Sequence, residues 1–148
     1  MIGYLDASAF VPLLIAEPTS AACRRFWDDA DAVVSIRLLY VETAAALAQA
    51  LRMGRLTGHN HDAAQRTLQA LWPQIDVVEV DQLLVTRAAA MAHELALRGY
   101  DAVHCAAAEQ LNDDDVVAAS GDQRLLSAWA QVGVATYHPG DSDGNETD

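Results

Sequence analysis

This 148-residue chain contains no lysine; its nine basic residues are all arginines, set against 21 acids. The formal net charge is −12 and the isoelectric point about 4.5. Such a balance argues against a protein that grips nucleic acid through bulk positive charge. It leaves room for a local basic strip or for a bound metal. Cysteine is also scarce: Cys23 and Cys105 supply neither a disulfide framework nor a zinc-ligand spacing. A reducing cytoplasm is therefore the expected compartment. No run approaches the ~18 apolar residues of a membrane span. No basic segment precedes an apolar stretch in the manner of a signal peptide. Aromatics make up 6% of the chain, whereas hydrophobic residues as a whole reach 52%. That composition and length suit one domain with a core that needs no staples.

Short apolar runs alternate with helical stretches. The runs Ile2–Leu5, Ala32–Ser35, Ile75–Val78, Val116–Ser120 and Val134–Tyr137 read as strands. They are mostly rich in β-branched residues and largely non-alternating, as expected for strands buried on both faces. Helices are expected over Ala9–Ile15, Ser20–Asp29, Leu38–Met53, His61–Leu71, Gln82–Leu97, Ala102–Leu111 and Gln123–Val132. Pro18, Gly54, Pro73 and Gly99 stand where four of these should stop. Strands alternating with helices predict an α/β domain with a mainly parallel sheet of about five strands, spanning residues 1–138. The acidic tail, residues 139–148, has no large apolar residue and is expected to lack structure.

Most acids read as solvated charge, including Asp28, Asp29, Asp31 and the run Asp113–Asp115. Four do not. Asp6 is the sole charge among the first sixteen residues and follows the first strand. Glu42 stands alone in the apolar helix "LLYVETAAALAQA". Asp101 lies at the start of a helix in "LRGYDAVHCAAA", and Asp122 just after the fourth strand in "VVAASGDQRLL". Asp6, Asp101 and Asp122 could each be a helix N-cap, and Glu42 could face solvent. Together, however, they share one placement, outside the carboxyl ends of parallel strands, where ligands gather in open α/β sheets. Clustered carboxylates repel and raise each other's pKa, so the cluster calls for a cation. Hard oxygen donors select Mg²⁺ or Mn²⁺ over zinc, and such ions serve phosphodiester hydrolysis.

Four stretches carry a family resemblance: "YLDASAF", "LYVETAAAL", "GYDAVHCAAA" and "SGDQRLL", in this order and covering about residues 2–137. The chain resembles a PIN domain, specifically a VapC-type toxin of a type II toxin–antitoxin pair. The resemblance implies a three-layer PIN-like fold and a Mg²⁺-dependent endoribonuclease, with Mn²⁺ as the alternative ion. It implies metal binding by Asp6 and Asp101, with Glu42 and Asp122 completing the catalytic acids and Ser8 and Ser120 in support. It further implies an RNA substrate, a homodimer, a cognate antitoxin that supplies an arginine to the pocket, and contact with DNA only through that antitoxin. Arg37 and Arg124, near the second and fourth stretches, are the best-placed RNA contacts. The alternative is a PIN-fold protein that works mainly by binding partners.

The remaining chemistry-bearing residues read as packing. His104 is expected to be a hydrogen-bonded core histidine, Cys23 and Cys105 small core residues, and Trp27, Trp72 and Trp129 core or dimer packing. The tripeptide "HNH" at His59–His61 is too short to signify a nuclease. A dehalogenase-type phosphatase or a phosphorylated receiver domain also places an aspartate after its first strand. Both want a further acid close by and a lysine, and this chain has Ser8 and no lysine.

Overall fold

The computed structural model describes residues 1–111 and 113–144. Five strands form one sheet: β1 (Ile2–Leu5), β2 (Ala32–Ile36), β3 (Ile75–Val78), β4 (Val116–Ala119) and β5 (Ala135–Tyr137), in the order β3-β2-β1-β4-β5. Every pairing is parallel; Tyr4 lies opposite Val34 on one side and Ala118 on the other. Successive side chains of β1 point to opposite faces. Tyr4 enters a core with Leu84, Met91, Leu125 and Trp129, whereas Leu5 enters one with Phe10, Phe26, Leu39 and Leu68. The sheet is thus the middle of three layers.

The helices divide accordingly. α1 (Ala7–Phe10), α2 (Ser20–Asp29), α3 (Leu39–Arg52) and α4 (Gly58–Leu71) cover one face. α5 (Gln82–Glu94), α6 (Gly99–Leu111) and α7 (Gln123–Gln131) cover the other. β1 leads to helices on the first face and β4 to α7 on the second. The chain therefore diverges between β1 and β4, and a crevice opens at their carboxyl ends. Gly3 allows the first face to close. A Cβ there would meet the Phe26 ring at 3.0 Å and Ala30 Cβ at 3.2 Å.

Several boundaries differ from expectation for identifiable reasons. The first helix begins at Ala7, since Asp6 accepts from Ala9 N and caps it, and Val11–Leu13, containing Pro12, tightens to a 3₁₀ turn. α4 starts at Gly58 because Thr57 accepts from Asn60 N. α5 stops at Glu94, and Ala96 takes a left-handed conformation, φ 52°, without a glycine. α6 begins at Gly99, so Asp101 stands inside its first turn and does not cap it. Pro139–Gly144, expected to lack structure, forms a 3₁₀ helix against α2, with His138 Nδ1 3.0 Å from Asp141. Residues 145–148 of that tail lie outside the described residues. No helix among the described residues is long and apolar enough to cross a membrane.

Candidate active site

Asp6 leaves the end of β1 almost fully buried, at 6% exposure. Its Oδ1 accepts from Ser8 Oγ at 2.7 Å and Ala9 N at 3.1 Å, and its Oδ2 from Ser120 Oγ at 2.6 Å. The two hydroxyls also tie β1 to the loop after β4. Ser120 Oγ accepts from Asp122 N and Ser8 Oγ from Gly121 N. Both serines therefore hold the Asp6 carboxylate in place. Asp6 is a helix cap as well, but capping does not require burial. Burial pushes its carboxyl above the usual carboxylate range, against the opposing pull of His104 and the three hydrogen bonds.

The other acids reach the same crevice from three helices. Asp122 caps α7 by accepting from Arg124 N at 2.9 Å. Glu42, in the first turn of α3, is partly buried, and its Oε1 lies 2.9 Å from His104 Nε2. Asp101, half-buried in the first turn of α6, accepts no hydrogen bond from any described residue. Its carboxyl is raised first by burial, then by the negative charges of Asp122 and Asp6, with a smaller push from Glu42. Asp101 thus lies within the field of the other three carboxylates. Among the described residues, no three such side chains come close enough to hold an ion as they stand. The donor set still suits a hard cation. It is all oxygen, and no arginine pairs with any of the four. Among the described residues, the ring of His104 is the group that pulls the carboxyls of both Asp6 and Asp101 back down.

A cleft of about 290 Å³ gives access to Asp101 and Asp122, and Arg98, Gln123 and Arg124 line it with them. It adjoins a shallower groove of about 470 Å³ along Leu95, Ser127 and Gln131 that shares Gln123 and Arg124. Arg37 stands apart. It is paired with Glu79 and does not line the cleft.

One acid follows the first parallel strand, another the fourth, and two more come from flanking helices. A family model for the PIN domain matches residues 3–128. The chain belongs to the PIN domain family. Among curated proteins, it is similar to Ribonuclease VapC45 of Mycobacterium tuberculosis (strain CDC 1551 / Oshkosh). The two are 42% identical over 82% of this chain and 85% of the relative. Among solved structures it resembles FitAcB from Neisseria gonorrhoeae, with a TM-score of 0.70, 18% identity and coverage of 94% and 98%. It also resembles a toxin–antitoxin complex from Klebsiella pneumoniae, with a TM-score of 0.66, 14% identity and coverage of 93% and 97%. At these identities the structural likeness is one of fold.

Two features of this PIN domain were not legible in the sequence. Arg98 joins the cleft through the α5–α6 turn, where Ala96 takes its left-handed conformation. His104 is the buried, hydrogen-bonded histidine expected, yet its partners are the site acid Glu42 and the core phenol Tyr4, at 2.7 Å. Its i+3 spacing from Asp101 was the one available signal.

Proposed function

We propose that this PIN domain is the toxin of a type II toxin–antitoxin pair and hydrolyses RNA phosphodiesters with the aid of Mg²⁺ or Mn²⁺. The observation that carries the reading is the placement of Asp101 and Asp122 on an open cleft, with Asp101 under the negative charge of Asp122, Asp6 and Glu42. The similarity to Ribonuclease VapC45 supports the substrate class.

Asp6 and Asp101 would hold the ion, with Glu42 and Asp122 completing its surroundings. When bound, the ion supplies Lewis acidity toward the phosphate and a water nucleophile at neutral pH. The protein's own part is positioning. Ser8, Ser120 and the Ala9 amide fix the Asp6 carboxylate, and the Arg124 amide fixes Asp122. Arg98 and Arg124 are exposed on the cleft wall and suit the phosphates of a single strand running into the adjoining groove. Arg37 is committed to Glu79, so the grip expected of it passes to Arg98.

An antitoxin that occludes the cleft can use an arginine, whose fork matches carboxylates. Val41 beside Glu42 and Tyr100 beside Asp101 are exposed apolar neighbours for such a partner. Leu83 on α5, 76% exposed, offers an apolar contact to a second copy of the chain. Toxin, antitoxin and RNA would meet in the cytoplasm, with DNA reached only through the antitoxin. Inducing the chain alone should arrest growth, and Asp101→Asn or co-expression of an antitoxin from the adjacent gene should relieve the arrest. Equal toxicity of Asp101→Asn would overturn the reading.

A further inference from the structure

The buried imidazole of His104 has no part in the chemistry described so far. His104 is 1% exposed, and Tyr4, beneath it, is fully buried. The ring is held on every side. Tyr4 packs edge-on against both His104 and Trp129, with centroids 5.8 and 5.7 Å apart. Trp129 Nε1 donates to the His104 carbonyl at 3.3 Å. Tyr4 Oη lies 2.7 Å from Nδ1, and Glu42 Oε1 lies 2.9 Å from Nε2.

Hydrogen-bond inventory decides what faces Glu42. Burial holds the Tyr4 phenol well above its usual pKa, so it keeps its proton. If the phenol donates to Nδ1, the ring's own proton must sit on Nε2. If Nδ1 carries a proton and donates to the phenol oxygen, Nε2 must carry one too, since a bare Nε2 would set its lone pair against a carboxylate oxygen. Either way an N–H points at Glu42 Oε1. No described residue claims the other oxygen of Glu42, which stays available to a ligand.

We propose that Tyr4 and His104 are positioning residues that hold the Glu42 carboxylate ready for a divalent cation. Glu42 otherwise has only a flexible stem in the first turn of α3, and no other side chain among the described residues fixes it. The hydrogen bonds to Asp6 from Ser8 and Ser120 do the same on the opposite side of the crevice. The proposal rests on the metal-dependent reading of the site. Partners of this kind behind a ligating carboxylate typically change metal affinity about 10–100-fold.

The test is Mn²⁺ affinity without RNA, read from the electron paramagnetic resonance of free Mn²⁺, with thermal melting alongside. His104→Leu should weaken binding about 10–100-fold. His104→Gln, whose amide N–H can reach Glu42, should stay within a few-fold of the native chain. Tyr4→Phe, which frees the ring to turn, should fall between them. A folded His104→Leu that binds as the native chain does, or a folded His104→Gln as weak as the leucine variant, would overturn the proposal. Should His104→Leu fail to fold, Tyr4→Phe decides: a several-fold loss supports the proposal and native affinity overturns it. Failure of the site reading itself looks different. The native chain would then bind no Mn²⁺, and RNA cleavage would not respond to EDTA.

Discussion

Asp6→Asn separates what the carboxylate does for the fold from what it does for chemistry. Its oxygens accept from Ser8, Ser120 and Ala9 N. An asparagine oxygen can keep the Ser8 and Ala9 bonds, and asparagine caps helices as well as aspartate does. Its amide would donate to Ser120, whose hydroxyl can then turn toward Ser8 Oγ, 3.2 Å away. No neighbour is left unpaired. The raised pKa means that burial outweighs the hydrogen bonds and the pull of His104, so this environment favours a neutral side chain. Without metal, the variant should be more stable at neutral pH, by on the order of 1 kcal/mol. In a chain of this size, that raises the melting temperature by about 2–4 °C.

The sign with pH follows from linkage. A carboxyl with a raised folded pKa stabilises while protonated, and loses that contribution as pH rises through its folded pKa. The advantage of Asp6→Asn should therefore be absent below about pH 3.9, the unfolded value, and grow as pH climbs past the carboxylate range. Melting curves in EDTA between pH 3.5 and 7.5 read this directly. RNA cleavage should fall by more than about 100-fold, since even a partner behind a metal ligand is worth about 10–100-fold. A variant that melts below the native chain in EDTA at neutral pH, or that cleaves RNA normally, would refute the reasoning.

Ser120→Ala should lower stability by about 1–3 kcal/mol in chemical denaturation, because it strips a buried donor from Asp6 and an acceptor from Asp122 N. Arg98→Ala and Arg124→Ala should weaken RNA binding without lowering the melting temperature. Each should reduce the salt slope by about 0.7 for every phosphate left without its arginine, whereas Arg37→Ala should not; a large effect of Arg37→Ala would move the RNA path toward Glu79. Burial pushes the Cys105 thiol up to about 11 and raises Cys23. Both should resist a thiol reagent at pH 8 and react together on unfolding, and rapid labelling of the folded chain would contradict this.

The architecture was legible because β1, β2 and β4 are buried on both faces and so read as unbroken apolar runs. The candidate acids were legible because a charge such as Asp6 or Glu42 is conspicuous in apolar surroundings. The boundaries were less so. Asp6 caps α1 while it serves the crevice, and α5 ends at a left-handed Ala96 that no glycine announces. The pairings were hidden for a different reason. Tyr4 and His104 lie 100 residues apart in the chain, as Arg37 and Glu79 lie 42 apart, and only the packed sheet brings them together. Its place in an apolar helix marked His104 as a packed histidine but could not say that the site acid Glu42 was its neighbour.

The central claim is that the acids around Asp6 cut RNA by metal-assisted hydrolysis. The most direct measurement is end-group analysis of RNA cleaved by the purified chain, with EDTA and then with Mg²⁺ or Mn²⁺ restored. Among the described residues, no histidine pair lines the cleft to act as acid and base on the RNA 2′-hydroxyl. The account predicts no cleavage in EDTA, recovery with either ion, and products that carry a 5′-phosphate and a 3′-hydroxyl. Cleavage that survives EDTA, or products ending in a 2′,3′-cyclic phosphate, would contradict it.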